Sequence, residues 1–144
     1  MTKMDRKAWI GLLARAPASR VAELMPALPP HSFLRPPEIG AVMVRGRIGG
    51  TGSPFNLGEM TVTRCSIRLD DGTVGHAWVQ GRDKGHATRA AVADALLQTN
   101  DSMRVTAEVL APLTAEAAAR RHARAAKAAA TRVEFFTLQR GEDQ

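Results

Sequence analysis

The sequence predicts an α+β fold: an antiparallel sheet with a central β-hairpin, two N-terminal helices, one helix after the hairpin and an Ala/Arg-rich C-terminal helical arm. Three observations carry this. Asp71-Gly72 suits the positive φ of a tight turn and stands between two apolar, β-prone runs, Phe55 to Leu69 and Thr73 to Val79. In Trp78 to Ala87, WVQGRDKGHA, strand patterning runs out and a helical pattern begins. Before Pro29-Pro30, apolar residues recur at helical spacing in two successive stretches.

Asp5 to Arg15 places Ala8, Trp9, Leu12 and Leu13 on one face of a first helix. Pro17 suits the first turn of a second, in which Val21, Leu24, Met25 and Leu28 repeat before Pro29-Pro30 ends it. Short amphipathic helices must pack on something, and a place in the core is the expectation over a partner surface. Pro29, Pro30, Pro36 and Pro37 bracket His31 to Arg35, an extended linker or an edge strand. Ala41 to Ile48 alternates as a strand and exits through Gly49-Gly50-Thr51-Gly52. Glycine-rich backbone can approach a phosphate closely, but the P-loop ending is missing, and a hairpin connection explains the same glycines.

Phe55 to Leu69 changes parity, with Met60 and Val62 on one side and Cys65, Ile67 and Leu69 on the other, so a β-bulge near Thr63 and Arg64 is expected. With Asp71-Gly72 as a two-residue turn, Leu69 faces Val74, Ile67 faces His76 and Cys65 faces Trp78. That register places His76 on the semi-buried side as a hydrogen-bonded core histidine. Cys65, inside a strand pattern, is expected as a small buried hydrophobe.

After the hairpin, Gln80 and Gly81 lead to Asp83, whose short acceptor side chain can cap a helix running to Gln98. Arg82 and Lys84 flank the cap and His86 lies in the first turn. Unpaired amides and two cations make a candidate seat for a phosphate or carboxylate; the alternative is a capped helix with solvated or paired basic neighbours and an exposed, idle histidine. The helix itself is rich in small residues, which permit close approach to a sheet.

Met103 to Pro112 holds a short strand or helix, and Thr114 is positioned to cap a helix to Arg132 with ten alanines between Ala115 and Ala130. Arg120, Arg124 and Lys127 share a face, with Arg121 beside them, and no bulky apolar residue anchors the helix to its own core. Val133 to Leu138 is an apolar, β-prone run containing Phe135 and Phe136. Residues 1–113 therefore read as a core domain with N-terminal helices, and 114–144 as an arm and apolar segment for partner docking.

Composition narrows the function. The chain has 144 residues, 20 Lys+Arg against 14 Asp+Glu and a net charge of +6, which raises the question of nucleic acid. With no Tyr, 2 Trp and 4 Phe it has few platforms for stacking successive bases, and its cations are interleaved with acids rather than gathered in one block. One cysteine and four histidines without HxxxH or HExxH spacing supply no zinc or iron-sulfur set. No GxSxG motif or conspicuous carboxylate pair appears. No apolar run approaches a membrane span and the N-terminus reads as a helix rather than a signal, so a soluble, reducing, cytoplasmic setting is expected.

The ordered series GGTG (Gly49 to Gly52), Phe55, Gly58, TVTRCSIRLDDGTVGHAWVQGRDKGHA (Thr61 to Ala87), DALLQ (Asp94 to Gln98), LAPL (Leu110 to Leu113) and RVEFFTLQRG (Arg132 to Gly141) resembles the PhnG family. That family is the small subunit of the bacterial carbon-phosphorus lyase machinery. The resemblance implies an accessory subunit without cofactors of its own, working in a complex that displaces adenine from ATP with an alkylphosphonate to give a ribose 1-phosphonate 5-triphosphate. It also implies that the nucleosidase-like chemistry belongs chiefly to a larger partner subunit, while a separate radical subunit later cleaves the carbon-phosphorus bond. It carries no catalytic residue onto this sequence. Gly50, Thr51, Gly52, Arg82 and Lys84 are the candidates for a place near nucleotide or phosphonate, or for shaping the partner's pocket. The alternative class is a basic nucleic-acid-binding or regulatory module, suggested by the charge and the Arg-rich arm.

Overall fold

A computed structural model describes residues 4–132. Its helices are α1 (Arg6–Arg15), α2 (Ala18–Leu24), α3 (Lys84–Leu96), α4 (Ser102–Val105) and α5 (Ala111–Ala130), and its strands are β1 (His31–Arg47), β2 (Pro54–Leu69) and β3 (Val74–Gln80). The strands form one antiparallel sheet in the order β1-β2-β3. Helix α3 packs on β2 and β3, and α1 lies against β3 and α3. This is the α+β architecture that the sequence predicts. No helix among the described residues is long and apolar enough to cross a membrane.

The N-terminal helices belong to the core. Asp5 caps α1 by accepting from Ala8 N at 2.7 Å, and Trp9 and Leu13 are buried. Helix α2 is shorter than expected: Pro17 is its cap rather than its first residue, and Met25 ends it. Leu28 falls in the following loop, packed at the edge of the core.

Close approach of α3 to the sheet depends on small residues. A Cβ on Gly75 of β3 would overlap the Ala91 carbonyl oxygen and lie 2.8 Å from Ala95 N. Ala87, Ala90, Ala91, Ala93 and Ala95 are all buried in this contact layer. In the middle of the alanines stands Asp94, fully buried. Its carboxylate accepts from Arg6 Nε at 3.0 Å and Arg6 Nη2 at 2.7 Å, from Trp9 Nε1 at 2.8 Å and from the His76 backbone N at 2.9 Å. The hydrogen bond to Asp94 raises the pKa of the Arg6 guanidinium, further fixing its charge. One side chain thus ties α1, α3 and the outer edge of β3 together.

Two sequence expectations about the sheet, the bulge at Thr63 and Arg64 and the hairpin register, need correction. Of the two readings of His31 to Arg35, the edge strand holds: β1 runs unbroken from His31 to Arg47 at the edge of the sheet. Its register irregularities fall between Phe33 and Arg35, between Arg35 and Glu38 across Pro36-Pro37, and between Val44 and Arg45. No bulge occurs at Thr63 and Arg64, where β2 pairs regularly with β3. The parity change has another cause, since Thr63 itself continues the buried row of Cys65, Ile67 and Leu69, and its Oγ1 donates to Gly81 O at 2.8 Å.

The second correction is the hairpin register. Leu69 N donates to Thr73 O, and Gly72 N, at φ 87°, donates to Leu69 O, so the loop has three residues, Asp70, Asp71 and Gly72. Cys65 faces Ala77, Ser66 faces His76 and Arg64 faces Trp78. A shift of one residue exchanges the faces of the strand. Gly75, Ala77 and Val79 are buried, while His76 and Trp78 are exposed.

The last helical stretch is continuous from Ser102 to Ala130 through a π-helical turn at Thr106–Leu110, so Met103 to Pro112 is helical. Thr114 is inside α5 rather than at its cap, and its hydroxyl donates to Leu110 O at 2.7 Å. Leu113 is the last buried residue of this helix.

Replacing Asp94 by alanine strands the Trp9 and His76 donors and releases Arg6, a loss expected to cost about 3 kcal/mol. Gly75→Ala should cost a similar amount, about 3 kcal/mol, by forcing α3 off the sheet. Denaturant unfolding of the isolated chain reads both, and an unchanged midpoint for either would contradict this packing.

Candidate functional site

The strand-to-helix junction forms largely as the sequence expects. Gly81 adopts φ 97° and donates its N–H to Thr61 O at 2.9 Å, and Asp83 caps α3 by accepting from His86 N at 2.8 Å. Arg82, Asp83 and Lys84 are exposed, as is Gln80 at the end of β3. Among the described residues, Arg82 and Lys84 make no ion pair. Lys84 lines an open groove of about 600 Å³ with Arg35, Pro36, Pro37 and Glu38 of the edge strand.

His86 does not belong to this surface. It is buried, and its Nε2 donates to Leu13 O at 2.8 Å, joining α3 to the end of α1. The ring is neither an exposed idle side chain nor a group facing an anion. Sequence spacing placed it correctly in the first turn of α3 but could not show that α1 covers that turn.

The Gly49 to Gly52 stretch lies elsewhere. It is the tip of the β1-β2 hairpin, where Gly49 and Gly50 have φ 62° and 77°. Gly52 N donates to Ile48 O at 3.0 Å, and Arg47 Nη1 donates to Gly52 O at 3.0 Å. The connection itself therefore accounts for the glycines. Strand β3 reaches only as far as Val62 of β2, and beyond it β1 and β2 continue as a two-stranded arm. From Thr61, beside Gly81, to Pro54 at the tip, strand rise gives about 23 Å. One chain does not bring GGTG and the Arg82–Lys84 pair into a single site. Met43, Ile48, Phe55 and Leu57 are exposed along the arm.

The open face of the sheet carries a constellation that the predicted register concealed. Arg64 lies over the Trp78 ring at 5.7 Å from its centroid, and Ser66 Oγ is 2.8 Å from His76 Nδ1. Arg64 and Arg35 both donate to Glu38 Oε2, at 3.1 and 3.2 Å. These bonds, Arg64 first, hold the Glu38 carboxyl below the usual glutamate range. Its share in the sheet's stability is present above the ordinary glutamate pKa and disappears as pH falls through the lower folded value. A three-residue loop ending in Gly72 was the only sequence signal that could have exposed this face.

Cys65 is buried, and desolvation raises its thiol pKa, so it behaves as the small hydrophobe expected of it. No group of three His, Cys, Asp or Glu among the described residues is placed to hold a metal ion. Arg120, Arg121, Arg124 and Lys127 are exposed on α5. Phe135 and Phe136 lie outside the described residues.

Among the described residues, buried polar groups serve the architecture, while an open sheet face, a projecting hairpin and a projecting helix remain uncovered. That combination defines a small basic α+β chain of the kind that functions as a subunit. The family model described as phosphonate metabolism protein PhnG matches residues 4–141. A relative from Rhizobium meliloti (strain 1021), named alpha-D-ribose 1-methylphosphonate 5-triphosphate synthase subunit PhnG, is 45% identical over 143 residues, covering 96% of this chain and 91% of its own length. The chain belongs to the PhnG family.

The two tryptophans provide a direct check of the hairpin register. Trp9 is 8% exposed and Trp78 is 50% exposed. Acrylamide should quench the emission of a Trp9→Phe variant strongly and that of a Trp78→Phe variant weakly. Equal quenching would place Trp78 on the inner face.

Proposed function

We propose that this chain is an accessory subunit of the carbon-phosphorus lyase complex in organic phosphonate catabolism, supporting the step in which an alkylphosphonate displaces adenine from ATP. The observation that carries the proposal is the 45% identity, over nearly the whole of both chains, to a subunit named for the synthase of that product. In this proposal the main partner is the larger nucleosidase-like subunit. ATP and alkylphosphonate are used by the complex in the cytoplasm, and the chain has no cofactor of its own.

The chemistry of the step supports an accessory role. Displacing adenine at the anomeric carbon requires protonation of the departing base and neutralisation of the triphosphate and phosphonate charges. The buried acid and the buried histidine of this chain are committed to Arg6, Trp9, His76 and Leu13. Its surface offers cationic charge, including Arg82 and Lys84 at the N-terminus of α3. Their role in the assembled complex is to neutralise substrate oxygens at the edge of a pocket supplied mainly by the partner. The glycine-rich tip, Gly49 to Gly52, acts at a different place, as a contact on a partner or on a second site in the assembly.

Co-expression of the tagged chain with the other core subunits tests this reading. Adenine release from ATP plus methylphosphonate should require the chain, and Arg82→Ala with Lys84→Ala should lower release by about tenfold with assembly intact. Normal turnover by the double variant would reduce the junction to a structural turn. The net charge of +6 and the four cations of α5 favour one second reading, nucleic-acid binding by the isolated chain. It requires affinity that falls steeply with salt and adenine release that is indifferent to the chain.

A further inference from the structure

Helix α5 leaves the body of the protein after Leu113 and Glu116, whose Oε1 accepts from Arg20 Nε at 2.8 Å. From Ala118 onward every described residue is exposed, so about 20 Å of helix stands clear of the core. Its two sides differ. Ala111, Ala115, Ala119 and Ala123 form one row at four-residue spacing, and Ala126 and Ala130 continue the same face, with His122 at its edge opposite Arg120 and Lys127. At its base the row enters an apolar groove of about 810 Å³, lined by Met4, Trp9, Leu97, Met103, Leu110 and the first alanines of the row. Arg120 and Lys127 border the row along one flank, and no acid occurs between Ala117 and Arg132.

A row of methyl groups buries little area by itself but allows another helix to approach at the short end of the usual interaxial range. The flanking charge selects the occupant. In a symmetric antiparallel pair of copies centred near Ala123, Lys127 of each would meet Arg120 of the other, a like-charge contact that opposes self-association. An apolar helix edge with acids opposite those two cations is complementary.

We propose that the alanine face of α5, with the groove at its base, is a seam for an amphipathic helix of a partner protein subunit. That helix directs large apolar residues at the alanine row and the groove, and acidic residues at Arg120 and Lys127. The proposal rests on the accessory-subunit reading and specifies the surface and chemistry through which the assembly forms.

The test compares two matched triple variants of the full chain, co-expressed with the other core subunits. Ala119→Gln, Ala123→Gln and Ala126→Gln place three bulky, helix-compatible side chains on the row. Ala118→Gln, Ala125→Gln and Ala128→Gln place the same three off it. Both sets lie on exposed helix, and circular dichroism should show unchanged helicity. The row variant should retain about tenfold less partner on purification, and the off-row variant as much as the parent. Arg120→Glu with Lys127→Glu should also lose the partner, and the parent complex should weaken as salt rises. A row variant that retains its partner fully, in a complex whose adenine release still needs the chain, overturns the seam and leaves the accessory reading standing. A parent chain that captures no partner overturns both. A row-dependent dimer of the isolated chain, or row-dependent nucleic-acid binding, overturns the proposed occupant.

Discussion

The Asp94 carboxylate is the point at which the elements of this protein are held in one arrangement. A fully buried charge is tolerated only when its lone pairs are occupied, and here Arg6, Trp9 and the His76 backbone occupy them. The His76 donor is an outward-facing amide of β3, so the same carboxylate that fastens α1 to α3 also closes part of a sheet edge. Gly75, the neighbouring residue on the strand, is the complementary condition. Without a side chain there, Ala91 and Ala95 can rest on the strand and bring Asp94 to the depth at which it reaches that amide.

This arrangement has a consequence for the rest of the surface. All the packing helices near the clamp serve the buried row of Thr63, Cys65, Ile67, Gly75, Ala77 and Val79, which leaves the alternate row bare. Strand β3 is short, so β1 and β2 project beyond it as a ribbon whose outer edges no other described strand pairs and whose apolar side chains are exposed. Two-stranded ribbons are marginal in water on their own. The arm and α5 extend from the core uncovered by other described residues.

Much of this was legible residue by residue. Trp9 and Leu13 announced the buried face of α1, Asp83 the start of α3, and the alanines of α3 a close contact with a sheet. The hairpin was legible as a hairpin, but Asp71-Gly72 is compatible with both a two-residue and a three-residue loop. The sequence pattern favoured the register that paired Cys65 with Trp78, because it credited the ring to the core. The observed register buries Gly75 and Ala77 instead, small residues whose merit appears only when α3 lies against them. His86 and Asp94 were obscure for a related reason: their partners, Leu13 O and the α1 side chains, are more than 70 residues away.

By itself the sequence determined the two N-terminal helices, the hairpin, the capping of α3 and, through a spaced series of motifs, the family. Those properties follow from periodicity, local hydrogen bonding and φ preference, all set within a few residues. Only the tertiary structure decided which face of β3 is buried, that His86 is internal, and that the glycine-rich tip stands far from Arg82 and Lys84. Each of these depends on where a helix lands on the sheet. That is fixed by steric fit at Gly75 and by satisfaction of one buried carboxylate, neither of which leaves a periodic trace in the chain.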